Sequence, residues 1–212
     1  MTMIARRTAP AARVRAHRLT ATVAGLCAAA VLTLSGCGDT KAGSSGSGSQ
    51  DQGSVPDGWG TLTTKGVDVS YPKSGPVAYT PQNAAERGRA DAAAVHTEGD
   101  TRLSTITVEL DFTKARTAEE AATGAEAGVQ LGATLEGTRR ISVDGTDDAR
   151  RVDFTFTSTG RAHTPPKGTK VHGVIVTGLD STKTTFAVRI DAQQGLLPDA
   201  DLKKIINSIQ VH

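Results

Sequence analysis

Cysteine is nearly missing from this 212-residue chain, which has only Cys27 and Cys37, and aromatic residues make up 3% of it. Cys27 lies in an apolar run near the N-terminus and Cys37 just after it. The rest of the sequence therefore has no disulfide partner, and a domain there must be held by its core alone. A run long enough to stay in a bilayer is lacking too: Leu19 to Leu34 is uncharged over 16 residues, against about 20 for a spanning helix. Charge of one sign is also scarce. Arg6, Arg7, Arg13, Arg15 and Arg18 precede the apolar run, and without them 24 basic residues become 19 against 22 acidic ones, moving the formal net charge from +2 to about −3. A basic surface for nucleic acid is not expected.

What stands at the N-terminus is a tripartite export signal: a cationic head, an apolar stretch, then Leu34-Ser35-Gly36-Cys37. This lipobox predicts residues 1–36 as a removed signal peptide and Cys37 as the lipidated first residue of a lipoprotein. A diacylglyceryl group with chains such as palmitate, at about 0.8 kcal/mol per buried methylene, anchors stably when two chains insert. The expected location is the cell membrane, lipid-anchored on its extracytoplasmic face. Arg6-Arg7 also suggests twin-arginine export, but Thr8-Ala9-Pro10 lacks the apolar positions that follow such a pair. Residues 37–57 carry Gly43-Ser44-Ser45-Gly46-Ser47-Gly48-Ser49 and no apolar cluster, which predicts a flexible tether with a reach of about 25 Å.

Residues 58–212 have the length of a single domain. Val67, Val69 and Tyr71 alternate with polar residues before Pro72, and Ile106 to Phe112 alternates strictly, as half-buried strands do. Residues 76–102 give a weaker signal, with a strand at Ala93 to His96. Thr117-Ala118-Glu119-Glu120 forms a capping box and predicts a helix to about Leu131, ended by Gly132. Gly124, Gly128 and Gly132 recur at spacing four, as a stripe for close packing on a sheet. Strands follow at Leu135 to Val143, Ala149 to Ser158, Val171 to Leu179 and Phe186 to Ile190, with turns at Asp144-Gly145 and Asp180 to Lys183. Leu202, Ile205, Ile206 and Ile209 predict an amphipathic C-terminal helix with acids in its first turn. The sum is an α+β domain with an antiparallel sheet.

The strand before Tyr71-Pro72, the stretch Ile141-Ser142-Val143-Asp144-Gly145 leading into Arg150-Arg151-Val152-Asp153-Phe154, and the ending Asn207-Ser208-Ile209-Gln210-Val211 add to the lipobox and tether. Together they resemble the PsbP/Mog1-like domains, and especially the small lipoproteins of high-GC Gram-positive bacteria that carry one. The resemblance spans Trp59 to His212. It implies an antiparallel sheet flanked by helices, acting as a binding or assembly module with no catalytic residues to transfer.

Signals for chemistry are sparse. His96, His163, His172 and His212 have no metal-ligand spacing, no Gly-x-Ser-x-Gly elbow occurs, and Asp144-Gly145-Thr146-Asp147-Asp148 lacks the length and final glutamate of a calcium loop. No metal or cofactor is expected. Glu109 and Asp111 fall on one strand face about 7 Å apart, a spacing open to paired acid/base carboxylates but expected of side chains facing water. Arg151 with Asp153, and Arg189 with Asp191, put opposite charges together on two strands, to set register across neighbouring strands or to form a polar recognition surface. Thr164-Pro165-Pro166-Lys167 offers a short polyproline segment. The expectation is a non-enzymatic binding or assembly module whose partners are the membrane, through its anchor, and an envelope protein. A carrier of a lipid or other apolar ligand is the alternative, suggested by a sheet with an apolar face and few aromatics to fill it.

Overall fold

The computed structural model describes residues 55–129 and 131–212. The expected signal, Cys37 and the tether as far as residue 54 lie outside the described residues. Trp59–Thr63 (β1) and Val67–Pro72 (β2) pair antiparallel across a tight turn. Thr64 holds that turn, accepting from the Val67 amide at 3.0 Å and donating to the Val67 carbonyl at 2.7 Å. Next come the two-residue Thr80–Pro81 (β3), then Ala92–Glu98 (β4) and Thr101–Leu110 (β5). The helix Ala118–Ala127 (α1) follows, then Thr134–Val143 (β6), Thr146–Thr157 (β7), Lys170–Leu179 (β8) and Thr185–Gln193 (β9). Asp199–Asn207 (α2) and Gln210–Val211 (β10) end the chain.

Seven strands form one antiparallel sheet in the order β3-β4-β5-β9-β8-β7-β6, and β1-β2-β10 form a second. This is the expected α+β class, with two antiparallel sheets rather than one. Period-two alternation decides what each face of the large sheet meets. Ile106, Val108, Val174, Val176, Val188 and Ile190 point to one side, where Val67, Val69 and Leu62 of the small sheet and Leu202, Ile205 and Ile206 of α2 close over them. Val152, Phe154, Ile175 and Ala187 point to the other side, beneath Ala122 and Ala125 of α1. No described helix is long and apolar enough to cross a membrane.

α1 begins as the capping box requires, with Thr117 Oγ1 accepting from the Glu120 amide at 3.1 Å, although the Glu120 carboxylate takes the Arg116 amide at 2.8 Å. It ends at Ala127 rather than near Leu131, because Gly128 stops it; two glycines four residues apart and the β-branched Val129 weaken the last turn. The glycine stripe packs closely at one point. A Cβ on Gly124 would lie 3.3 Å from Thr113 Oγ1, whereas one on Gly128 would meet only the helix's own carbonyls.

At the β6–β7 hairpin, register places Arg139 opposite Arg151 and Arg140 opposite Arg150, two like-charged pairs that repel. An aspartate bridges each. Asp153, whose side chain is 10% exposed, accepts from Arg139 Nη1 at 2.6 Å and from Arg151 Nε at 2.9 Å. Asp148 lies 3.1 Å from Arg140 Nε and 3.4 Å from Arg150 Nη2. β6 is the outer strand and mostly exposed, with irregular register between Leu135 and Gly137 and between Ile141 and Val143.

The C-terminus locks the two sheets together. β10 pairs with β2, the Val211 amide donates to the Asp144 carbonyl at 2.9 Å, and the His212 amide donates to Gly66 O at 2.9 Å. Gly145, at φ +82, lies so near the Val211 carbonyl that a Cβ there would overlap it. Gly145→Ala should therefore cost about 3 kcal/mol, from left-handed strain plus displacement of β10. Gly99→Ala, at φ +56 with nothing within 4 Å, should cost only about 1 kcal/mol. Urea unfolding of the two variants measures the difference, and equal losses would remove the role assigned to the Val211 contact.

Candidate functional site

The uncovered part of the large sheet lies beside α1, and β9 runs through it. Alternation that sends Phe186, Val188 and Ile190 into the main core sends Ala187, Arg189 and Asp191 to the α1 side. Register then sets Thr107 beside Arg189 and Thr105 beside Asp191 on β5, with Ile175 and Gly173 as their partners on β8. Gly173 leaves room for the Phe154 ring, which a Cβ there would overlap. Because α1 stops at Gly128, the Asp191 end of this face stays open. A cleft of about 560 Å³ remains, with Asp191, Thr105 and Arg189 along the sheet, Phe156 and Val171 as its apolar side, and Leu131, Arg102 and Arg161 at its lip. On the other side of Arg189 a second cleft, of about 590 Å³, has Glu109, Asp111, Phe112 and Gly124 along it.

The outer wall of the first cleft is a loop folded on itself. Ser158 Oγ donates to the Pro165 carbonyl and accepts from the Gly160 amide at 3.2 Å, while the Gly168 amide donates to Ser158 O at 3.0 Å. Two contacts latch it to the β4–β5 hairpin: the Arg102 amide donates to His163 O at 3.1 Å, and His163 Nδ1 lies 3.1 Å from Asp100 O. The polyproline segment predicted at Thr164 to Lys167 is part of this wall, with the Pro165 and Pro166 carbonyls both accepting bonds from the loop itself.

Asp191 is the most constrained charge on the cleft. Its Oδ2 accepts from Arg189 Nε at 2.9 Å, but Oδ1 is buried without a hydrogen-bond partner although the carboxylate as a whole is 23% exposed. Burial pushes its carboxyl above the usual range, and the Arg189 charge opposes that shift. Arg189 is held in turn by its guanidinium, 5.0 Å over the Phe154 ring. From the opposite side of β9, Ser104 Oγ donates to the Asp191 carbonyl at 2.8 Å and accepts from the buried Tyr79 hydroxyl at 2.6 Å. Burial raises Tyr79 to about 12, opposed by the Ser104 hydrogen bond and helped by the charge of Asp201.

The structure sorts the six residues of the predicted polar surface. Glu109, Arg189 and Asp191 share the α1 face. Asp111 lies beyond the end of β5 at φ +50 and pairs with Lys114 at 2.9 Å, while it lines the second cleft together with Glu109. Arg151 and Asp153 lie on the opposite face, and β8 separates their strand from β9. The cross-strand pairing suggested between the two Arg–Asp couples therefore does not form. Each couple closes along its own strand, and the cross-strand partner of Asp153 is Arg139, which the sequence reading did not single out. His172 is half-buried on β8, 3.9 Å from Asp153; His212 lies 3.3 Å from Asp68. Arg102, Arg161 and Phe156 were also missed. The only sequence signal for them was the bracketing of the loop by Gly160 and Gly168. Among the described residues, no group of three or more His, Cys, Asp or Glu could hold a metal ion.

No family model matches the chain, and a search of the curated proteins finds no match. Solved structures give distant likenesses. The Ran-binding protein Mog1p of Saccharomyces cerevisiae has a TM-score of 0.45 at 10% identity, over 72% of this chain and 95% of Mog1p. LpqN of Mycobacterium tuberculosis, involved in cell envelope biogenesis, has a TM-score of 0.39 at 16% identity, over 77% of this chain and 87% of LpqN.

Two pH effects follow. A buried tyrosine with a raised folded-state pKa supports stability below pH 10 and loses that support as pH rises towards 12, by about 2–3 kcal/mol. Urea unfolding between pH 8 and 12 should show this fall, and Tyr79→Phe should flatten it to the part due to Tyr71, which burial shifts the same way. An unchanged slope in Tyr79→Phe would contradict the assignment. For Asp191 the raised carboxyl pKa means that stability falls as pH rises through and above the usual carboxylate range. Asp191→Asn should then be at least as stable as the parent at pH 7, with its advantage gone near pH 3; a variant less stable at pH 7 would show that the charge pair with Arg189 outweighs burial.

Proposed function

We propose that this chain is a non-enzymatic binding module of the cell envelope, held on the outer face of the cytoplasmic membrane by lipid on Cys37, with the α1 side of β5 and β9 as its binding face. The observation that carries the reading is the Asp191 side chain, 23% exposed and paired with Arg189, on an open cleft. A carboxylate at the wall of a cleft accepts from a donor on a ligand, and hydrogen bonds to a charged group are among the stronger ones. The latched loop supports it, since a wall already in place lowers the ordering cost of association. The ion pair of Asp111 with Lys114 speaks against acid/base use of that couple. The carrier reading has less support: the space between the sheets is filled by Val, Ile, Leu and Phe, and the remaining clefts have polar and charged edges. The membrane location is supported by the lipobox and its cationic head.

Two measurements on the full chain test this. Cys37→Ala should leave the membrane fraction; a variant that stayed wholly with membranes would end the anchoring claim. In hydrogen exchange, membrane-extracted protein mixed with an envelope extract should gain protection at Leu103 to Thr105, Ser158 to Pro165 and Arg189 to Asp191. Protection on the Arg151 and Asp153 face instead, or turnover of an extract component, would overturn the reading.

A further inference from the structure

We infer that the cleft beside Asp191 binds a phosphate ester of a hydroxyl-bearing compound, an inference that rests on the binding face proposed above. Three arginines line this cleft against one aspartate. Arg189 is already committed to Asp191 and to the Phe154 ring. Arg102 and Arg161 are exposed, and among the described residues neither has a carboxylate within 4.0 Å, whereas Arg139, Arg140, Arg150 and Arg151 each have one. The segments that carry these two arginines are held together by the backbone, because the Arg102 amide donates to His163 O two residues from Arg161.

Paired guanidiniums match phosphate oxygens in charge and in fork geometry, and a phosphate monoester near neutral pH carries about −1.5 to −2, close to what two unpaired arginines supply. The phosphate alone does not satisfy the site. The exposed part of the Asp191 carboxylate accepts only from a donor, and an anionic oxygen beside it would be repelled. The same ligand must therefore bring a hydroxyl to Asp191 while its phosphate meets the lip. Thr105 and Thr159 add hydroxyls between these points, and Phe156 with Val171 gives the carbon skeleton an apolar surface. The opposite face does not offer this. There Arg139 and Arg151 are both bound to Asp153, and the cleft between β7 and α2 has Asp199 as well as Lys203 along it.

The test uses the full chain in a nonionic detergent, with sn-glycerol 3-phosphate as the probe. Saturable binding is expected, with NMR shifts at Thr105, Phe156, Thr159 and Asp191, weaker binding of inorganic phosphate and none of glycerol. Arg102→Ala with Arg161→Ala should weaken binding roughly tenfold or more, Arg161→Glu should abolish it, and the exposed Arg116→Ala should leave it unchanged. Soluble poly(glycerol phosphate) and vesicles containing phosphatidylglycerol distinguish a wall polymer from a lipid headgroup as the source; competition by either supports the assignment. Glycerol binding as tightly as its phosphate, or full affinity in the double arginine variant, would overturn it. If none of these probes binds while an envelope extract still protects the cleft, the phosphate assignment falls and the binding face stands. If neither binds, both fall.

Discussion

The pairing of β9 with β5 on one side and β8 on the other sets the conditions for the rest of the molecule. Antiparallel register gives β9 two unlike faces. Phe186, Val188 and Ile190 must be buried, and the small sheet and α2 assemble over them. Ala187, Arg189 and Asp191 must then lie on the other face, where α1 covers Ala187 and leaves the charged pair exposed to the cleft. The hydrophobic demand of one face thus fixes the position of charges on the other. The path from Tyr79 through Ser104 to the Asp191 carbonyl makes this concrete, since a hydroxyl buried in the apolar layer helps to hold the backbone of the residue that bears the cleft's carboxylate.

Much of this was legible as periodicity. Strict alternation from Thr105 to Leu110 and from Phe186 to Ile190, the capping box at Thr117 and the apolar spacing of α2 each depend on near neighbours in sequence, and each forms. What the sequence could not show depends on distant pairing. β1, β3 and β10 are short strands with little pattern of their own, and they become strands because β2 or β4 offers a free edge. Gly132 reads as the terminator of α1, but Gly128 is as weak a helix former, comes first and ends the helix.

The candidate site divides along the same line. That Arg189 and Asp191 share a face follows from their spacing of two. Whether Arg151 and Asp153 share it with them depends on strand order, and β8 between β7 and β9 gives each couple its own side. The opposition of Arg139 to Arg151, bridged by Asp153, appears only once β6 is paired in register, as does the proximity of Arg102 to Arg161. A list of charged residues on strands is therefore a poor map of a surface until neighbours and faces are known.

The outer strand β6 has a consequence for how many molecules can share a small space. An exposed ten-residue edge is a template on which a strand from another copy could add, extending the sheet without limit. The two irregular steps in β6, at Leu135 to Gly137 and at Ile141 to Val143, put its outward donors and acceptors out of phase with a straight incoming strand. Arg139 and Arg140 between those steps would meet their own counterparts on an antiparallel copy. The edge is thus a poor template for a further strand.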